Sequence, residues 1–263
     1  SVTKPQQATG RTPMSWGERD MVALVQTLRG TIERHLKLGK VLLGSGIVSS
    51  VWWITVDIIA SRRYPGYSYL DQTISELSAE GAPTRPFLIA VNVVPYAVLT
   101  AAFGVGVWAA AGQTRAGRIT GSLLVAGAVI GMAGGLLFPI MVRGTEGDLR
   151  NAMHAPYGAV TMLLFVLMMA FGSRVLGTRF RYYTYATIVV WFVFGVLMAV
   201  QSGRMVANEP TPWMGLEERI SVYVTMLWFA VLAAGLLRAQ RTVSPRHVAQ
   251  PPLAPPRTQQ VAR

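Results

Sequence analysis

The sequence predicts an all-α integral membrane protein: a bundle of six transmembrane helices plus an N-terminal amphipathic helix and a short outer interfacial helix. Three observations carry this expectation. Hydrophobic residues make up 52% of the 263 and charged residues only 14%, against about 25% charged in a soluble domain. Six apolar runs each approach the ~20 residues needed to cross a bilayer. The charges cluster at the ends of those runs, where membrane topology signals sit. The net charge of +12 therefore reads as a topology signal, and no nucleic-acid partner is expected. The chain has no cysteine, which excludes disulfides, thiolate metal sites and cysteine nucleophiles.

Residues 1–37 read as a cytoplasmic N-terminal segment. They hold no apolar core of signal-peptide length ahead of a small-residue cleavage site, so no cleavable signal peptide is expected. Ser15 and Glu18 fit a capping box. Met21, Val22, Val25, Leu28, Ile32 and Leu36 then recur at helical spacing. This predicts an amphipathic helix over 16–36 lying on the membrane surface, with Arg19, Arg29, Arg34 and Lys37 drawn to anionic lipid.

The six-span domain covers 38–238. Its apolar runs fall at about 38–60, 87–111, 119–142, 154–173, 182–203 and 219–238. With both termini inside, all but seven of the 24 basic residues lie on the inner side; the seven are Arg62, Arg63, Arg85, Arg143, Arg150, Arg204 and Arg219. That asymmetry predicts a multi-pass protein of the plasma membrane with both termini cytoplasmic. Residues 239–263, with PPLAPP and several arginines, read as a disordered cytoplasmic tail.

Two features inside the spans stand out. Gly127, Gly131 and Gly135 form a GxxxGxxxG run, the pattern of a helix-packing face, within this bundle or between copies. Asn92 and Pro95 predict a kink in the second span, with Asn92 satisfying a backbone group that the proline frees.

The outer loop, 61–86, is the most polar interruption of the apolar chain. Tyr64, Pro65, Gly66 and Tyr67 read as a turn with aromatics suited to the headgroup zone. Leu70, Ile74 and Leu77 predict a short interfacial helix from about Ser68 to Ala79, with Gly81 as its C-cap. At ~1.5 Å per residue, Asp57 lies near the outer end of the first span. Asn92, His154, Gln201 and Arg204 fall at similar depth, as do Glu217, Glu218 and Arg219. The inner halves are almost wholly apolar. Polar groups at membrane depth are expensive and mark function, so this one-sided set predicts a polar chamber beneath the loop.

The stretch YPGYSYLDQTISELSAEGAPTRP, with Asn92 just beyond it, resembles a bacterial and archaeal membrane family catalogued as domain of unknown function 998. That family shows an (I/L)S(E/D)L(G/S)A-type motif after its first span and a histidine near the start of a later one. The matching residues here are Ile74, Ser75, Glu76, Leu77, Ser78 and Ala79, with His154 as the histidine. The resemblance covers about residues 38–238. A more distant similarity runs to the Frag1/DRAM/Sfk1 membrane proteins, which have an ISD-type motif in that place where this chain has Glu76. The resemblance implies a six-span bundle and a lipid connection, and it brings no catalytic mechanism with it.

Several membrane chemistries are excluded. Retinal needs a lysine within a span, and Lys4, Lys37 and Lys40 all lie at or before the first. Bis-histidine haem and ceramidase-type zinc need several intramembrane histidines; His35 and His247 lie outside the bundle, leaving His154. Neither HExxH nor GxSxG occurs. No metal or cofactor is expected. The best-supported activity is that of an interaction or assembly protein, working through the N-terminal helix or the glycine run toward a protein partner or a second copy. The alternative is a protein that binds, or modifies, a lipid or other ligand in the chamber, with membrane lipids as partners. For that alternative Glu76, His154, Asp57 and Asp71 are the candidate acid–base residues. Asn92, Arg63, Arg85, Arg143, Arg150 and Arg204 are the candidate ligand-binding residues.

Overall fold

A computed structural model describes residues 16–242. Its helices, in order, are α1 (Trp16–Arg63), α2 (Ile74–Leu77), α3 (Arg85–Leu88), a π-helical turn (Ile89–Val93), α4 (Val94–Ala111), α5 (Arg115–Leu137), α6 (Leu149–Ala152), α7 (His154–Gly172), α8 (Thr178–Val200), α9 (Ser202–Val206) and α10 (Met214–Thr242). Six helical stretches are long and apolar enough to cross a membrane: Ala23–Arg63, Arg85–Ala111, Arg115–Leu137, Leu149–Gly172, Thr178–Val200 and Met214–Gln240. Their outward faces are apolar, with Val98, Val189, Phe192 and Val200 all more than 60% exposed. The expected cap at Ser15 and the tail beyond 242 lie outside the described residues. Residues 239–242, expected in that tail, are helical.

Two compact units make up the chain, Ser1–Gly39 and Lys40–Arg263. In the first, Met21, Leu24, Val25, Leu28, Ile32 and Leu36 form a stripe, each more than half exposed. Arg29 and Glu33 pair at 3.1 Å, one turn apart. The segments read as an amphipathic helix over 16–36 and a span over 38–60 both fall within the single helix α1. No proline interrupts the run from Trp16 to Arg63, so helical hydrogen bonding continues until Tyr64, whose helical backbone Pro65 disfavours.

In the second unit the core is built on Phe103, Val107, Leu124, Met169, Trp228, Phe229 and Leu232. Lipid offers no hydrophobic force between spans, so close approach and side-chain hydrogen bonds hold them together. A Cβ on Gly104 would stand 2.8 Å from the Gly121 carbonyl, and one on Gly121 would stand 2.7 Å from that of Gly104. These two glycines set the α4–α5 contact. Ser45 donates from α1 to Leu99 O (3.0 Å), and Ser50 donates from α1 to Met226 O of α10 (2.8 Å). Trp228 Nε1 of α10 donates to Thr184 Oγ1 of α8 at 2.9 Å.

Gly127, Gly131 and Gly135 have open space beside their Cα atoms. A Cβ at any of them would meet no atom within 4 Å. The neighbouring Gly134 carries the α7 contact instead: the Tyr157 ring sits against it and spaces α7 from the glycine face. The Tyr157 hydroxyl donates to Gly131 O at 3.2 Å.

The kink in the second span is a π-helical turn, and Asn92 does not satisfy it. Pro95 has no N–H to offer the Val91 carbonyl four residues back. That carbonyl accepts from Trp52 Nε1 of α1 at 2.9 Å, and Asn92 Oδ1 is buried without a partner among the described residues.

Candidate functional site

The loop after α1 forms one helical turn, Ile74–Leu77, where a longer helix was expected. The Tyr69 and Gln72 carbonyls accept from side chains, which takes them out of an earlier helical turn. Tyr67 OH donates to Gln72 O (2.9 Å) and Thr73 O (2.8 Å). Arg219 Nη1 of α10 donates to Tyr69 O (2.7 Å) and Gln72 O (3.1 Å). Thr73 then starts the turn through a capping box with Glu76. Arg85 Nη1 ends it on Ser78 O, and Thr84 Oγ1 ends it on Leu77 O, both at 2.6 Å.

Arg219 is the centre of this arrangement. It is 1% exposed and pairs with Asp57 of α1, 2% exposed, through Nε–Oδ2 at 3.0 Å and Nη2–Oδ1 at 3.2 Å. Nη2 also reaches Tyr67 OH (2.8 Å) and Ser61 Oγ (3.2 Å). The guanidinium stacks on the Tyr69 ring, 3.7 Å from its centroid. Tyr223 OH donates to Asp57 Oδ2 at 2.7 Å, and Tyr69 OH and Tyr223 OH share a 2.8 Å hydrogen bond. Intramembrane charges are tolerated when paired and fully hydrogen-bonded, and this pair meets both conditions. Burial pushes the Tyr67 phenol well above its ordinary range, against the opposing charge of Arg219.

Glu76 joins a second anchor. Arg143 grips it in a fork, Nε–Oε1 at 2.5 Å and Nη2–Oε2 at 3.0 Å. Arg143 also donates to Thr211 Oγ1 (2.8 Å), which in turn donates to Asp71 O (2.9 Å). Burial raises the Glu76 carboxyl. The hydrogen bonds from Arg143, Thr73 N–H and Gln72 outweigh that and hold it below its ordinary value. Asp71 is held low by the Trp213 N–H (3.0 Å to Oδ1) and the Ser68 hydroxyl (2.8 Å to Oδ2). Trp213 has φ +68°, a strained conformation for a bulky residue, and Asp71 braces it there.

Beneath the turn lies a cavity of about 350 Å³ between α1, α4, α5, α7 and α10. Ile74, Ser75, Leu77 and Ser78 of the loop cover one end. At that end stand Asp57, Asn92, His154 and Glu218. Farther in, the wall is Leu124, Phe165, Met168, Met226 and Phe229, and the Gly127–Gly131–Gly135 face forms one side. His154 Nδ1 lies 2.7 Å from Phe138 O, a carbonyl that can only accept, so Nδ1 carries the proton. Glu218 accepts from the Ile74 N–H and from Ser75 Oγ (3.4 Å), and so holds the loop from the cavity side.

Of the expected acid–base residues, the structure brings Asp57 and His154 to the cavity and turns Glu76 and Asp71 away from it. Of the expected ligand residues, Asn92 alone lines it. Arg143 is committed to Glu76. Arg85 pairs with Glu80 at 3.4 Å, and Arg150 pairs with Asp148 and Glu80 at 3.0 and 3.7 Å. Arg204 pairs with Glu209 at 3.7 Å, and Arg63 stacks over Phe87 at 4.4 Å. The residues that reading underweighted are Arg219 and Glu218. The signal for Arg219 was available: Asp57, an acid within a span, requires a buried cation.

The motif residues Ile74–Ala79 thus have a physical reason each. Ile74 and Ser75 bind Glu218, Glu76 binds Arg143, Leu77 and Ala79 are fully buried, and Ser78 receives Arg85. A family model described as a protein of unknown function (DUF998) matches residues 47–235. No curated protein and no solved structure matches the chain. The match takes in α1 from its middle onward, the capping loop and every later span, and on that extent the chain belongs to the DUF998 family.

Proposed function

We propose that this protein binds an amphiphilic molecule, a lipid or lipid-like ligand, in the cavity beneath the loop. The observation that carries this reading is the cavity's polarity gradient. Asp57, Asn92, His154 and Glu218 lie at the loop end and an aliphatic and aromatic wall lies farther in. Ligand sites are typically about 300–1,000 Å³, mostly apolar, with a few placed polar groups. The distribution of basic residues supports cytoplasmic termini in the plasma membrane, so the loop and the polar end face the exterior. Binding is favoured over catalysis because the two acids best placed by sequence, Glu76 and Asp71, are spent on structural partners.

Gly127→Leu tests it. A Cβ at Gly127 meets no atom within 4 Å and the residue lines the cavity, so the larger side chain is expected to extend into the cavity with the fold kept. We expect unchanged thermal stability and loss of the lipid that copurifies with the wild type, read by mass spectrometry of extracts. Equal lipid content in a folded variant would sink the proposal.

A second reading, interaction or assembly at the membrane surface, is favoured by the exposed apolar stripe from Met21 to Leu36. Deleting residues 1–36 would then abolish recovery of a partner or second copy; unchanged recovery counts against it.

A further inference from the structure

We infer that the cavity selects an amphiphile whose head group donates hydrogen bonds, a hydroxyl or an ammonium, over one headed by a phosphate or carboxylate. This rests on the ligand-binding reading above. The hydroxyl protons at the polar end are already spent within the protein: Ser75 on Glu218 (3.4 Å), Ser78 on Ser75 O (3.2 Å) and Tyr157 on Gly131 O (3.2 Å). What remains at that end is the Asn92 amide, the His154 ring and the Glu218 carboxyl group. Asn92 Oδ1 is buried with no partner among the described residues. His154 holds its proton on Nδ1 against Phe138 O, which leaves Nε2 of the neutral ring as an acceptor. Glu218 adds carboxyl oxygens that already accept from Ile74 N–H and Ser75 Oγ.

Charge points the same way. No Lys or Arg lines the cavity among the described residues. Arg219 is the nearest candidate, and it is committed to Asp57 and to loop carbonyls. A phosphate or carboxylate head would bring a negative charge into a buried site with no free cation to meet it, where an unpaired charge is costly. A buried acceptor left without a donor is itself costly, so a head group that supplies donors resolves both problems.

The test uses the full-length protein in detergent and four probes sharing one oleoyl-length chain: monooleoylglycerol, oleylamine, oleic acid and oleoyl lysophosphatidic acid. Affinity is read by native mass spectrometry. The first two are expected to bind at least roughly tenfold tighter than the last two, the scale of one hydrogen bond. Asn92→Leu removes an acceptor that no protein group uses, so the fold should persist while the preference for monooleoylglycerol falls. Glu218→Gln keeps an acceptor for Ile74 N–H and should weaken oleylamine selectively. Equal affinity for all four probes, or preference for the anionic pair, overturns the head-group inference and leaves ligand binding standing. No binding of any probe, with Gly127→Leu indistinguishable from wild type, overturns both.

Discussion

Arg219 on the last span and Asp57 on the first form a two-point ion pair, at 3.0 and 3.2 Å, with both side chains almost completely buried. Every remaining Arg219 donor is used on the loop, on Ser61 or on Gly215 O. The pair therefore does two jobs: it fixes α1 against α10, and it folds the intervening loop over the cavity.

Removing one partner leaves the other charge buried and alone, which costs about 3–5 kcal/mol. Arg219→Met is expected to lower the thermal melting point by that measure of stability and to make residues 64–84 accessible to protease. Asp57→Leu in the same chain should recover part of the melting point, since an apolar pair is tolerated. It should not restore protease resistance, because the loop carbonyls stay unbound.

The Arg143–Glu76 pair gives a pH signature. The Glu76 carboxyl lies below its ordinary 4.5 in the folded protein. Its contribution to stability is therefore fully present above pH 4.5 and is lost as pH falls through the depressed folded value. Glu76→Gln should cost roughly 1.5–3 kcal/mol near neutral pH, the scale of hydrogen bonds to a charged group. It should also flatten the acid limb of stability. Melting curves of both proteins between neutral pH and the acid limit check this.

Two glycines in neighbouring helices should behave oppositely. Gly104→Leu forces a side chain into the Gly121 backbone, and overpacking of this kind costs about 1–3 kcal/mol or more. Folded yield should fall sharply. Gly127→Ala meets nothing within 4 Å and adds helix propensity of up to about 1 kcal/mol, so its melting point should equal or exceed that of the wild type.

Trp52 and Pro95 should be coupled. Trp52→Phe strands the Val91 carbonyl at an expected cost of about 0.5–1.5 kcal/mol. In a Pro95→Ala background the restored N–H can serve that carbonyl, so the same change should cost measurably less. A double-mutant cycle on melting free energies reads the difference.

The spans were legible because length and apolar composition alone select a bilayer crossing. The level of the polar groups was legible in part: depth along a helix is simple arithmetic, and Asp57, Asn92 and His154 line one cavity end, whereas Gln201, Arg204 and Glu217 do not line it. The partners were not legible. Asp57 and Arg219 are separated by 162 residues, and complementary charge carries no periodicity that links such positions. The glycine run showed a small-residue face but not what stands beside it, and here that face lines the cavity. Glu76 was singled out for its motif and proves to be a cap and an anchor. Glu218 was passed over because a carboxylate at a span end is ordinary there, yet it lines the cavity together with Asp57.

The loop between the first two spans is fastened by Arg143, Arg219 and Glu218, all supplied by later parts of the chain. Synthesis delivers the cover more than a hundred residues before its last fasteners. A nascent chain with five spans inserted still has an open site, and closure waits for α10. Ending the chain before Met214 should leave five inserted helices whose first loop is cleaved readily by added protease, while the full chain resists. The cavity is then roofed only when the polypeptide is complete, since an unfinished copy has a wall but no cover.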